Sequence, residues 1–413
     1  MKRISFIGGA GAQGCGGTKA RRRVGAFILL VAASLLTGCI DEYEADITAD
    51  DSNLLVVEGT ICSSAENRFT LSRTQAINST DSPRLVTGAT LSVRGSDGSQ
   101  YAAQASDGCY TCQVGQLSPD VDYYLHIETD GEVYESEPQK PLPTEKIADV
   151  RGVQDTPQSS IDVLITPETP FAPGQANYYS WTYDETWEVR PDYKTAMYFD
   201  TDIMEPVYKD IYHFPERGWL DAAGTTVAVG ASTNYADQHI ERMKIYDIGR
   251  GDDRVYYRYS GLVHQRAITK AEYEYELARR QASTEMGGLF TPLPSALPTN
   301  LRCLTSQKRV IGYVGCSLNT SDYRFFLNSE ELSLDRHSGG DSRLWVANPS
   351  MEDCAQMVAK GLYLCEWLTP EMSGDGKLQT AWAYIFQLDV RERYKGAYIE
   401  EPDFWSLKEN VSY

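Results

Sequence analysis

Apolar and polar positions alternate with a period near two along most of the chain, in runs of five to twelve residues broken by turn residues. Alternation of this kind places successive side chains on opposite faces of a strand, one buried and one solvated. Such runs cover 54–61, 68–73, 89–94, 123–129 and 133–137, and Asp130-Gly131 between the last two is a hairpin signal. Short strands at this spacing with no intervening helix predict a β-sandwich of immunoglobulin or transthyretin type over 53–143. Pro138, Pro141 and Pro143 then punctuate the chain and mark a predicted boundary.

Beyond the prolines the same pattern continues on a larger scale, at 147–153, 161–165, 178–189, 244–248, 255–263, 310–314, 323–327 and 381–390. The region 144–413 is therefore predicted as a larger β-sandwich-like domain with long insertions, so the chain as a whole is mainly β. One α-helix stands out near 269–283. Thr269 with Glu272 forms a capping-box pattern, 271–281 is rich in helix formers, and Gly287-Gly288 ends the run.

The first forty residues break this pattern and set the compartment. Lys2, Arg3, Lys19 and Arg21 to Arg23 form a basic segment before an apolar run at 24–35, which is too short to span a bilayer. Small residues then precede a cysteine in Leu36-Thr37-Gly38-Cys39. Residues 1–38 thus have the form of a lipoprotein signal peptide, and Cys39 that of a lipidated N-terminus. The acidic stretch 39–52, with Asp41, Glu42, Glu44, Asp46, Asp50 and Asp51, has too little apolar surface to pack and is expected to act as a tether. It resembles the acid-rich tethers that send some Gram-negative lipoproteins to the cell surface, and Ile40 after the cysteine resembles lipoproteins released to the outer membrane. Gly9-Ala10-Gly11-Ala12-Gln13-Gly14 fits GxGxxG, but the signal segment follows it where a nucleotide site needs a βαβ unit.

Charge and cysteine usage narrow the partners. Removal of six basic residues with 1–38 takes the formal charge from −20 to −26. A surface of this sign repels nucleic acid and anionic headgroups, and it suits neutral or cationic ligands, divalent cations or another protein. Outside the cytoplasm, Cys62, Cys109, Cys112, Cys303, Cys316, Cys354 and Cys365 are read first as disulfide formers. Cys303 and Cys316 flank an apparent hairpin and Cys354 and Cys365 bracket a short loop, so each couple is expected to pair locally. Cys62 is expected to join Cys109 or Cys112, leaving one thiol free or intermolecular. Cys109 and Cys112 alone make a poor zinc site, with no second pair at ligand spacing.

No motif marks an enzyme, a cofactor site or a metal centre. His126, His213, His239, His264 and His337 are scattered, and no GxSxG elbow or Walker loop is present. Adjacent acids such as Asp184-Glu185, Asp252-Asp253 and Glu400-Glu401 are expected by chance among 58 acidic residues. The 27 tyrosines and seven tryptophans do hint at binding, because such side chains give large contact area at low entropic cost. Trp187, Tyr193, Tyr198 and Trp219 are the candidates for an exposed aromatic surface.

Several segments in order resemble the domain-of-unknown-function 4249 family of outer-membrane lipoproteins. They are the Cys39 box, 55–61 (LVVEGTI), 178–188 (YYSWTYDETWE), Tyr273-Glu274-Tyr275, 287–294 (GGLFTPLP), 298–301 (PTNL), 310–314 (VIGYV) and Pro402-Asp403-Phe404-Trp405. The resemblance implies an outer-membrane, lipid-anchored accessory to a TonB-dependent β-barrel receptor, exposed at the cell surface, with no catalytic residues to carry over. Two other expectations stand beside it: a structural or adhesive sandwich without a small ligand, and a surface hydrolase. A concave aromatic site favours the first over the second, and two acids converging in one cleft would favour the third.

Overall fold

In a computed structural model the described residues are 53–74, 84–106, 109–169, 177–191, 197–208, 215–284, 297–335, 344–372, 378–386, 394–407 and 409–413, all within one compact unit spanning Asp50–Tyr413. The signal segment, the tether and Cys39 lie outside them. The fold is mainly β, as the alternation predicts, and it is built from two stacked-sheet layers and a smaller third sheet.

The first sandwich packs two sheets around Leu55, Val57, Phe69, Leu71, Val93, Leu125 and Ile127, all at most 1% exposed. One sheet holds Leu55–Cys62, Glu66–Arg73, Cys109–Gln113 and Gln104–Ser106; the other holds Glu132–Ser136, Tyr123–Thr129, Thr90–Gly95 and Gln100–Ala102. Neither sheet is complete within 53–143. Leu301–Cys303 pairs antiparallel with Glu132–Ser136, and Val310–Ser317 pairs in parallel with Leu55–Cys62 over eight residue pairs. The chain leaves the first sandwich after the prolines and returns to close it.

That return corrects one disulfide expectation. Residues 301–317 are not a hairpin; their two strands belong to opposite sheets. The Cys303 thiol contacts Ser306 Oγ at 3.2 Å and Glu132 Oε2 at 3.5 Å, whereas Cys316 lies buried beside Cys62, and burial pushes its thiol up to about 12. Cys62, Cys109, Cys112, Cys303 and Cys316 are all free thiols in this structure. Cys109 and Cys112 sit three apart on one extended strand and so face opposite ways, their thiols turned to Ser106 O and Tyr101 O. Cys354 is buried in the third sheet's core, and the side chain of Cys365 lies outside the described residues.

The second sandwich sets Ile147–Val153, Ile161–Pro167 and Met243–Ile248 against a broader sheet of Gly218–Ala223, Tyr178–Val189, Arg258–Ile268 and Ser321–Asn328. Ala228–Ala231 also pairs with Tyr178–Val189, and Val411–Ser412 adds to the far edge. The helix Lys270–Thr284 is present, and the Glu272 amide donates to Thr269 Oγ1 at 3.1 Å. The reciprocal half of the predicted box is redirected: Glu272 reaches Arg266 at 2.5 Å, a buried pair that fastens the helix to the sheet. Gly315 lies directly beneath, and a Cβ there would fall 2.6 Å from both partners. A second helix, Met351–Ala359, capped by Ser350 and Asp353, packs with Leu362–Met372, Leu378–Phe386 and Leu344–Ala347 as the third sheet.

The parallel pairing needs glycine at one point. Gly312 opposes Val57 with φ +129, and any Cβ there would overlap the Val57 carbonyl. Gly312→Val is expected to lower unfolding stability by roughly 2 kcal/mol or more, the scale of a forced backbone outlier. Gly88→Ala, where no atom lies within 4 Å, should be near neutral by comparison. Urea unfolding of the two variants beside the parent checks both.

Candidate functional site

The strand Tyr178–Val189 sorts its side chains cleanly by face. Tyr179, Trp181, Tyr183, Glu185 and Trp187 point toward the opposing sheet; Ser180, Thr182, Asp184, Thr186 and Glu188 point outward. On the inner side the two sheets part company near Glu185, leaving a cleft of about 720 Å³. Its walls are the strand Met243–Ile248, through Lys244, Tyr246 and Asp247, and the turn Ala222–Thr226; Tyr183, Glu185 and Trp187 line its inner end with Arg254, and exposed Arg280 also contributes to the lining. The volume lies within the usual range for small-ligand sites.

A connected polar network fixes that inner end. Glu185 is 5% exposed and accepts both oxygens' worth of hydrogen bonds from Arg254 Nη1, at 2.6 and 2.7 Å. The Tyr259 hydroxyl donates to Glu185 at 2.7 Å, and the Tyr246 hydroxyl lies 2.9 Å from that of Tyr259, so Tyr246 donates in turn. Burial pushes both phenols far up, which keeps them neutral donors. Arg254 is held in place by Asp252, whose carboxylate also caps the short turn Asp253–Val255. The Tyr246 ring stacks on Tyr183 at 3.8 Å and 11°. The other face of Tyr183 is pressed against Gly224, where a Cβ would intrude to 2.6 Å. Lys244 bridges Asp162 at 2.8 Å and Asp247 at 3.1 Å at the rim. The cleft therefore offers hydroxyls, a rim ammonium and the Trp187 ring around a rigid polar interior.

The opposite face of the same sheet is covered by the chain's C-terminus. Trp405 is 2% exposed; the Arg258 guanidinium lies 4.2 Å from the Phe326 ring and donates to the main-chain oxygens of Trp405 and Leu407. Arg324 sits 3.6 Å over Phe404. Pro402-Asp403-Phe404-Trp405 is thus a strap held by two arginines. Next to it, Glu188 accepts from Arg190 and Arg217; burial alone would raise its carboxyl, but the two guanidiniums hold it below the usual range. His264 stands between Asp322 at 2.9 Å and Asp184 at 3.1 Å.

These positions revise the expected aromatic surface. Trp219 is 3% exposed, packed against Tyr398 and Trp405 under Arg217, because the strap covers it. Tyr198 is half-buried on the hairpin Met197–Asp200/Glu205–Tyr208, away from the cleft lining, and Tyr193 lies outside the described residues. Of the three described, Trp187 lines the cleft and Tyr198 and Trp219 do not. The signal for the rest was a carboxylate, Glu185, set in an otherwise aromatic inner face. The adjacent acids separate: Asp184 turns out to His264, Glu185 in to Arg254, Asp252 joins Arg254, and Glu401 meets Arg217. Among the described residues no group of three His, Cys, Asp or Glu side chains is placed to hold a metal ion, and no helix is long and apolar enough to cross a membrane.

The family described as domain of unknown function DUF4249 matches residues 40–322, more than half of the chain. The chain belongs to the DUF4249 family. The match takes in the first sandwich's strands, most of the second's up to Arg258–Ile268, and the whole cleft lining. No curated protein matches. Among solved structures, a DUF4785 family protein from Legionella pneumophila subsp. pneumophila str. Philadelphia 1 is similar at 10% identity and a TM-score of 0.16, over 51% of this chain and 52% of that one. The chain thus spans about half the length of that structure, and a likeness at this score carries no argument.

Two outcomes follow from the network. Arg254→Met strands Glu185 as a buried, unpaired carboxylate and is expected to cost about 3–5 kcal/mol by urea unfolding, while the double change with Glu185→Gln recovers much of the loss. For His264, burial lowers the imidazole's pKa, but hydrogen bonds and charge from Asp322 and Asp184 outweigh it and the net shift is upward. Its contribution is therefore fully present below about pH 6.5 and fades as pH rises through the higher folded value. The stability gap between the parent and His264→Gln should narrow on going from pH 6 to pH 9.

Proposed function

We propose that this DUF4249 protein is a lipid-anchored accessory lipoprotein of the outer membrane, exposed at the cell surface, that holds a nutrient ligand in the inter-sheet cleft for a TonB-dependent β-barrel receptor. The observation that carries the reading is the cleft itself. It is concave, of ligand size, and lined by Glu185, Arg254 and Tyr246, which Tyr259 behind them helps to lock before any ligand arrives. Preorganised walls reduce the ordering cost of binding. The signal segment, Cys39 and the acidic tether are read as the anchor, and the resemblance of the sequence segments implies the same setting. A purely adhesive sandwich has no use for a polar site recessed between its sheets. Glu185 is already saturated by Arg254 and Tyr259, which disfavours a role for it as a hydrolase acid or base.

Protease shaving of intact cells, followed by detergent pull-down of the tagged protein, tests this. The protein should be lost on shaving and should co-purify with a β-barrel receptor in near-equal amount, and Cys39→Ala should abolish palmitate labelling. Protection from protease with no barrel partner contradicts the proposal.

A further inference from the structure

The charges around the inter-sheet cleft are already matched within the protein. Glu185 is paired with Arg254, Arg254 with Asp252 as well, and Lys244 with both Asp162 and Asp247. Exposed Arg280 in the lining has a partner of its own. An anion or a cation entering here finds no spare counter-charge and gains only by parting a pair, which at the Glu185 end is a buried one. The lining therefore disfavours charged ligands, a chelated metal ion and the charged ends of a free peptide among them.

An extended peptide is disfavoured on a second ground. Such a ligand adds as a strand to an open sheet edge, and the strand at the cleft that ends its sheet is Met243–Ile248. That edge is blunted. Ile245 is bulged out of register, since Tyr246 pairs with Val163 and Lys244 with Leu164, and Lys244 and Asp247 stand exposed beside it. A bulge and charged side chains are what keep a further strand off an edge. A purely apolar ligand fares no better, because covering Lys244 and Asp247 would strip their water without replacing it.

What the lining does offer is hydrogen bonding in both senses beside an aromatic ring. The Lys244 ammonium has three N–H groups, and its two salt bridges leave one of them over. The bridge to Asp247 engages Oδ1, so Oδ2 stands next to that donor as an acceptor. Thr225 and Thr226 add exposed hydroxyls, which donate and accept. Trp187 is half-buried, which leaves part of its ring to stack on a ligand. The ligand that answers all of these is uncharged, carries neighbouring hydroxyls that donate and accept in turn, and has an apolar ring face. We infer that the cleft binds a neutral saccharide, with adjacent hydroxyls on the Lys244–Asp247 pair and a sugar face on Trp187. This inference rests on the reading of the cleft as the ligand site.

The test is binding of the purified protein in detergent to an array of neutral oligosaccharides printed beside uronic acid-bearing and sialic acid-bearing ones, with calorimetry on the strongest binder. Binding should be confined to neutral glycans and should hold in high salt, since no ion pair is formed. Asp247→Leu, at an exposed position and with Lys244 still held by Asp162, should weaken it about tenfold. Trp187→Ala should weaken it by about the same factor, with urea unfolding as the check that each variant is folded. Binding confined to acidic glycans, loss of binding in high salt, unchanged affinity in either folded variant, or a blank array overturns the saccharide assignment. Detergent pull-down separates this outcome from that of the uptake reading. A blank array with the β-barrel still co-purifying removes the ligand class alone, whereas neutral-glycan binding with no barrel partner removes the receptor and leaves the saccharide site.

Discussion

The parallel pairing of Leu55–Cys62 with Val310–Ser317 is the contact on which the rest of this molecule depends. It joins segments some 250 residues apart, closes the first sandwich, and carries Gly315 under the Arg266–Glu272 pair that fastens the helix Lys270–Thr284 to the second. A contact of such sequence separation forms late and at high loop-closure cost. Once formed it makes the two sandwiches a single unit, so that strain at Gly312 is felt in both. The cleft belongs to the second sandwich but inherits its rigidity from this closure, through the strand Arg258–Ile268, which carries Tyr259 at one end and Arg266 at the other.

Local structure was legible in the sequence where alternation was strict. The strands at 123–129, 147–153 and 178–189 coincide with the observed Tyr123–Thr129, Ile147–Val153 and Tyr178–Val189, because a half-buried strand must alternate. Partner choice was not legible. Cys303 and Cys316 look like the two ends of a hairpin, yet packing sends their strands to opposite sheets, which local spacing cannot encode. Trp219 looked like a surface aromatic because nothing near it in sequence announces that Phe404 and Trp405 fold back over its sheet. The candidate site was half legible. The inner face of the Tyr178–Val189 strand was visible, but Arg254 and Tyr246 come from other elements, and only the fold sets them against Glu185.

The two faces of the central sheet divide the labour. Outward, arginines stacked on Phe326 and Phe404 seal the surface with the C-terminal strap. Inward, a buried carboxylate, a guanidinium and two neutral phenols form a connected network at the inner end of the cleft. Breaking the Glu185–Arg254 pair would leave a buried carboxylate unpaired, so the two side chains hold each other in place at the cleft. On the proposal that the chain is lipid-anchored, a preformed polar recess is what an uptake accessory requires.

Site-specific photo-crosslinking in intact cells tests that claim most directly. A photoreactive residue at exposed Thr226 on the cleft rim is compared with one at exposed Glu352 on the helix Met351–Ala359. The account predicts an adduct with an outer-membrane β-barrel from position 226 and none from position 352. No barrel adduct from the rim, or equal adducts from both positions, would contradict it.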